Sequence, residues 1–109
     1  MDLLKRIAGE GPSVDEVREA LRAVVDPELG VNIVDLGLVY GVDIAEGKVR
    51  IRLTLTAPAC PMGEMIVAEV RREVQLTVAG VKEVAVDLVW DPPWAPTMMS
   101  EEARLTLGM

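Results

Sequence analysis

The sequence predicts an α+β fold: a two-layer α/β sandwich in the order α-β-β-α-β-α, with a small three-stranded mixed sheet carrying its helices on one face. Three observations predict it. A capping box opens a helical apolar repeat near the N-terminus. Two runs of alternating apolar and polar residues flank a Glu-Gly turn. A helical stripe then separates the second run from a third alternating run, and such a strand-helix-strand unit crosses over right-handed, so its two strands lie parallel.

The first helix starts at Ser13-Val14-Asp15-Glu16, where Ser13 can bond the first turn and Glu16 can bond back. Val14, Val17, Leu21, Val24 and Val25 recur at helical spacing, and Asp26-Pro27 should end the helix, because a residue before proline leaves the helical region. The stretch from Asp26 to Gly37 reads as an ordered loop with apolar anchors. Leu38, Tyr40, Val42 and Ile44 form the first alternation, and Val49, Ile51, Leu53 and Leu55 the second, joined by Glu46-Gly47 as a hairpin. Arg50 and Arg52, on its polar face, should pair across strands with acids such as Asp43 or Asp87. Pro61 suits a helical first turn. Met62, Ile66, Val70 and Val74 make one stripe, with Met65 and Val67 beside it, and the methionines read as core packing. Val84, Val86, Leu88 and Trp90 alternate as the third strand. The prolines of Asp91-Pro92-Pro93-Trp94-Ala95-Pro96 exclude regular structure, and Ser100 caps a last short helix with Glu101 and Glu102 in its first turn.

Residues 13–109 read as a single domain, with 1–12 a leader that is either loose or docked as a short turn. The leader is too short and too charged for a signal peptide, and no segment has the length of a transmembrane helix. A net charge of −7 argues against a nucleic-acid or anionic-membrane partner. The single cysteine cannot form a disulfide within the chain and fits a reducing cytoplasm. With no histidine, the chain lacks the commonest general base and the commonest nitrogen ligand. With no Phe, its core must be aliphatic.

The lone cysteine, Cys60, stands where the second strand run ends and the second helix run begins. A sulfur there would meet unpaired N–H groups and the positive end of a helix dipole, and both favour the thiolate that attacks disulfides and binds metals. The competing reading is a small buried apolar residue. Around it the topology gathers Asp26-Pro27-Glu28, Asp35, Thr54 and Thr56, and Trp90 through Trp94, because the ends of parallel strands share one sheet edge. Asp26 and Asp35 could equally be turn-making caps. Trp90 could close the core. Trp94, among prolines, reads as a lid over the site or a partner-binding anchor, and Trp90 shares that candidacy.

Several stretches together resemble the small SufT-like and PaaD-like proteins of the metal–sulfur cluster biosynthesis family. They are Asp26-Pro27-Glu28-Leu29-Gly30, Asn32-Ile33-Val34-Asp35-Leu36-Gly37-Leu38-Val39-Tyr40, Thr54-Leu55-Thr56 with Cys60-Pro61, Trp90-Asp91-Pro92-Pro93-Trp94, and Met99-Ser100-Glu101-Glu102-Ala103-Arg104. The resemblance spans about residues 13–108. It implies the α/β fold of iron–sulfur assembly modules and a cytoplasmic accessory role in maturing iron–sulfur proteins, without enzymatic turnover. It makes Cys60 the functional thiol, for which the position alone already suggests metal ligation, and Asp26, Glu28, Asp35, Thr54, Thr56 and Trp94 match characteristic positions. The implied partners are the assembly machinery and apo-protein clients. The alternative is an accessory subunit of a multicomponent aromatic-acid oxygenase of the phenylacetyl-CoA type, although PaaD-like members carry a cysteine-rich C-terminal part and this chain stops at Met109. A thiol enzyme is a third class, without a histidine base to activate it. Ligand arithmetic limits all of these. A cluster normally takes four protein ligands, mostly cysteines. One thiol per chain therefore predicts no tightly bound cofactor, only transient iron or an iron–sulfur cluster, unless a homodimer or a partner completes the ligand set.

Overall fold

The computed structural model describes residues 11–56 and 63–108. Its elements are α1 (Val14–Leu21), β1 (Val39–Ala45), β2 (Lys48–Leu53), α2 (Gly63–Thr77), β3 (Glu83–Leu88), a 3₁₀ turn (Pro96–Met98) and α3 (Glu101–Thr106). The capping box forms as expected: Glu16 N donates to Ser13 Oγ at 3.2 Å, and Ser13 N donates to Glu16 Oε1 at 3.0 Å. Helix α1 stops at Leu21, short of Asp26-Pro27. Turn geometry follows, and Val25 then pairs with Asn32 in an isolated antiparallel bridge. The bridge takes up backbone groups that a longer helix would have used, so Val24 is buried while Val25 lies open to solvent.

The sheet runs β1-β2-β3, with β1 antiparallel and β3 parallel to the central strand. Glu46 and Gly47, both at positive φ (51° and 80°), make the hairpin turn whose twist suits the strands it joins. Along β2, Val49, Ile51 and Leu53 are buried and Lys48, Arg50 and Arg52 are exposed, the period-two pattern of a sheet covered on one face. Helix α2 packs on β3 and on α1, and α1 also packs on β1, so both cover the apolar face. Ile66, Val70 and Val74 of α2 are buried there with Val17 and Leu21 of α1. On the polar face Arg52 reaches Asp43 at 3.5 Å and Arg50 reaches Asp87 at 3.3 Å. These are the expected partners, met diagonally rather than directly opposite. Water screens such pairs, which are worth no more than about 1 kcal/mol each. A register shift lies between Val39 and Gly41, and the Arg52 guanidinium lies where any side chain at 41 would stand.

Two expectations are corrected. Met65 is 47% exposed, because the spacing of Ile66, Val70 and Val74 fills the buried stripe and leaves its neighbour on the rim. Trp90 does not close the core. It and Leu88 are each 42% exposed, so β3's alternation loses its cover toward its C-terminal end. Pro61 and Met62 fall outside the described residues.

After β3 the chain forms a proline-rich strap, residues 91–100, pinned to the entry of β1. Trp94 Nε1 donates to the Leu36 carbonyl at 2.7 Å, and Tyr40 Oη donates to the Pro92 carbonyl at 2.7 Å. Ser100 N donates to the Asp35 carbonyl, also at 2.7 Å. Trp94 is half-buried against the core, and Met99 and Ala103 carry the core on into α3. Gly37, at φ 79°, makes this approach possible, since a Cβ there would overlap the Met98 carbonyl. Gly37→Ala is therefore expected to cost about 2 kcal/mol or more, from overlap plus left-handed strain. Gly30→Ala, at φ 71° with open space around it, should cost about 1 kcal/mol from strain alone. Urea-unfolding midpoints of the two variants check this, and equal costs would mean the strap does not bear on Gly37.

Candidate functional site

The sheet edge at the end of β2 is where the expected site residues can meet. Thr54 N donates to the Leu38 carbonyl at 2.8 Å, and Val89 N donates to the Leu53 carbonyl at 2.8 Å, so the entry of β1 and the exits of β2 and β3 are stitched together. The strap brings Trp94 to the same edge through Leu36. Cys60 itself lies outside the described residues, between Thr56 and Gly63. Connectivity sets its reach: it is three residues from Gly63, about 10 Å at full extension. A Cβ built on Gly63 would come within 2.8 Å of Leu55 Cδ1, so α2 starts against the residue that follows Thr54.

Asp35 holds the loop before β1 together. Its Oδ2 accepts from Asn32 Nδ2 at 2.7 Å, its Oδ1 accepts from Arg22 Nη1 at 3.0 Å, and its own N–H donates to Asn32 Oδ1 at 2.9 Å. The Asn32 hydrogen bond is the largest cause holding its carboxyl below the usual carboxylate range. Burial pushes the other way, and the Arg22 hydrogen bond and charge, with the Ser100 side chain, add to the lowering. Asp26 is 3% exposed, and its Oδ1 accepts from the N–H groups of Glu28 at 2.8 Å and Leu29 at 3.4 Å, an Asx-type turn. Both aspartates thus carry out the local capping that residue type alone allows. Glu28 is exposed and Thr56 half-buried.

Thr54 differs from its neighbours. It is 1% exposed, and its Oγ1 is buried with no hydrogen-bond partner among the described residues. Such a group costs about 1–3 kcal/mol relative to a satisfied one. Among the described residues, no three acidic, histidine or cysteine side chains are grouped to hold a metal ion.

Sequence reasoning did not find the groove beside this edge. It is an open channel of about 560 Å³ between α2 and β3, lined by Leu55, Val67, Ala68, Val86, Leu88 and Trp90, with Glu64 and Arg71 at its margins. The signal was present in Val67, Leu88 and Trp90, apolar residues one step off a buried stripe or past the covered part of a strand.

Residues 14–88 match the family described as iron–sulfur cluster assembly protein. A Porphyromonas gingivalis protein named Fe-S protein maturation auxiliary factor is 50% identical over 95 residues, covering 86% of this chain and 90% of its own. The Staphylococcus aureus Fe-S protein maturation auxiliary factor SufT is 44% identical over 87 residues, covering 79% of this chain and 98% of its own. Among solved structures, a domain of unknown function from Bacillus anthracis superposes with a TM-score of 0.85 at 42% identity, over 87% of this chain and 91% of that one.

The Asp35 network predicts a pH-dependent stability. A carboxyl whose folded pKa lies below its unfolded value of 3.8 stabilises the fold fully above that value, and the contribution disappears as pH falls through the folded pKa. Asp35→Asn sets an amide against the Arg22 and Asn32 donors and should cost about 1–3 kcal/mol near neutrality. The difference from wild type should shrink as pH drops below about 4. Thermal unfolding from pH 7 to pH 3 tests it, and a constant difference would remove the charge from the explanation.

Proposed function

The chain belongs to the iron–sulfur cluster assembly protein family, and on that premise we propose that it is an accessory factor delivering iron–sulfur clusters to apo-proteins through protein contacts and Cys60. The observation that carries this reading is its near end-to-end match to maturation auxiliary factors, 50% identical in one case. The oxygenase-accessory alternative has no support in those names. The chain works in the cytoplasm, without catalytic turnover, as a single domain over residues 13–109. In the described residues, no helix is long and apolar enough to cross a membrane.

The cluster is cargo rather than a resident cofactor. With one cysteine and no histidine, a single chain supplies too few soft ligands for stable retention. Both carboxylate oxygens of Asp35 and Oδ1 of Asp26 already accept hydrogen bonds, so using these oxygens as ligands would compete with the turns they hold. The client, the assembly machinery or a second copy supplies the remaining ligands. Cys60 acts at the point of exchange.

Cys60→Ser nearly conserves volume, so folding should change by no more than about 1 kcal/mol, yet the variant should fail to mature iron–sulfur enzymes. Cluster-enzyme activity in a host lacking the native gene, restored or not by wild type and variant, measures this. Full restoration by the variant would remove the thiol from the function.

Partner contact falls on the two tryptophans in different ways. The Trp94 indole N–H is taken up by Leu36, whereas Trp90 presents exposed ring to the groove. Trp90→Ala should leave the unfolding midpoint near wild type and weaken client association by about 2 kcal/mol or more. Trp94→Ala should lower the midpoint as well, because it unpins the strap. Pull-down with an apo-ferredoxin client, alongside thermal unfolding, separates the two effects. Unchanged association for Trp90→Ala would exclude it as an anchor.

A further inference from the structure

Strand β3 is an edge of the sheet, and no other described strand pairs with its outer side. Glu83 N donates to the Gly47 carbonyl at 3.4 Å and Val89 N to the Leu53 carbonyl at 2.8 Å, so the odd-numbered residues turn their backbone groups toward β2. By the two-residue period of a strand, Val84, Val86 and Leu88 turn theirs outward. These three are the register partners of Val49, Ile51 and Leu53, so their side chains lie on the face that α2 covers. The groove follows this edge, with Val67, Ala68 and Arg71 of α2 on one side and Val86, Leu88 and Trp90 on the other. Val67, Ala68 and Arg71 follow helical spacing, a stripe beside the one that rests on the sheet. A sheet with one more strand would put that strand beneath this stripe. Exposed edges of this kind accept an added strand unless lysine, proline or a bulge blunts them. From Glu83 to Leu88 there is no lysine or proline, and the register with β2 runs without a shift. What the edge does carry is acid, Glu83 and Asp87, both exposed.

We propose that the outer edge of β3 takes up an extended, basic segment of a partner protein as a fourth strand. Its apolar side chains enter the groove beside Trp90, and its lysines or arginines lie over Glu83 and Asp87. This inference rests on the function proposed above, on which the partner is a client or a member of the assembly machinery. In strand addition, main-chain bonds give affinity and alternate side chains give selectivity. Here Val84, Val86 and Leu88 supply the main-chain groups, and the two faces of the sheet set the alternation. On the groove side the added residues cover Leu88 and Trp90, each 42% exposed. Charge selects the occupant. A basic segment meets opposite charge across the strand pair. A second copy would bring its own Glu83 and Asp87 to the same edge, in a chain whose net charge is −7, and like charges repel.

The test uses the full chain and end-capped octapeptides that alternate Lys with Val and Leu. Affinity is read by fluorescence anisotropy of the labelled peptide, and amide exchange by NMR. Saturating peptide should slow exchange at Val86 and Leu88 by about tenfold or more, and leave Ala85 and Asp87, whose amides face β2, near their starting rates. Unchanged exchange at Val86 and Leu88 would overturn the proposal. A peptide with Glu in place of every Lys should bind about tenfold more weakly, and Glu83→Lys should weaken the Lys peptide about threefold. Equal affinity for the Glu peptide would exclude a basic partner. Two N-methylated peptides then probe the main chain, one methylated at the apolar positions and one at the lysines. Only one of them should lose affinity, by about tenfold or more, because only alternate amides of an added strand face β3. Loss at the apolar positions makes the segment antiparallel to β3, and loss at the lysines makes it parallel. Equal affinity for the two would rule out strand addition. Without peptide, exchange at Val86 and Leu88 that slows as the protein is concentrated would make a second copy the occupant. Slow exchange at every concentration would make it another segment of this chain, and either result overturns the proposal. Peptide binding is read without cluster or client. A failure here therefore leaves the accessory role standing, and a failure of Cys60-dependent maturation leaves the peptide result standing.

Discussion

The parallel pairing of β2 with β3 is the constraint from which the rest of the molecule follows. Two parallel neighbours cannot be joined by a tight turn, so the chain must cross over the sheet, and α2 is that crossover. The crossover needs an apolar stripe to lie on the sheet, which Ile66, Val70 and Val74 supply. It also fixes where chemistry can occur. The exit of β2, the start of α2 and the exit of β3 all come to one edge, and the antiparallel β1 begins there too. That gathering owes nothing to the site residues themselves, which occupy an edge the fold has already made.

The strap gives that edge its rigidity. Beside a 3.5 Å side-chain contact from Tyr40 Oη to Met98 Sδ, three hydrogen bonds tie it to residues 35–40 to or from a backbone carbonyl or amide. Bonds of this kind fix the position of the main chain, so the loop before β1 and the segment after β3 behave as one unit. Asp35 adds a charged centre to the unit through Asn32 and Arg22, tying the end of α1 to it as well. The aspartates thus contribute by holding these loops in place through the hydrogen bonds they accept.

The fold was legible because its signals are local and repeated: the capping box at Ser13, the Glu46-Gly47 turn, and the alternation in β2 each involve a few neighbouring residues. Where local pattern and tertiary pairing disagreed, pairing prevailed. Val24 and Val25 continue the helical repeat, but the bridge to Asn32 draws them out of the helix. Trp90 continues β3's alternation past the point where α2 covers it, so periodicity indicated a buried ring and the structure exposes one. Of the candidate site, the approach of Asp35, Thr54 and Trp94 to one sheet edge was legible, Cys60 lies outside the described residues, and the hydrogen bonds of the rest were not legible. Residue type could not show which donors Asp26 and Asp35 meet, because these are backbone amides, a nearby amide side chain and the Arg22 guanidinium. Nor could it show that the Thr54 hydroxyl is buried without a hydrogen-bond partner among the described residues, a property that exists only once the packing around it is known.

All three aromatic side chains, Tyr40, Trp90 and Trp94, sit on or against the strap or at its edge, and the core holds none. The protein therefore carries a built-in optical separation. Intrinsic fluorescence originates at the working edge, while the aliphatic interior of Val, Leu and Ile is dark. A tryptophan emission change in this molecule reports what happens to the strap and the groove, and circular dichroism in the far ultraviolet reports the sheet and helices. Two signals that usually track the same event can here be read as separate clocks, one for the edge and one for the body.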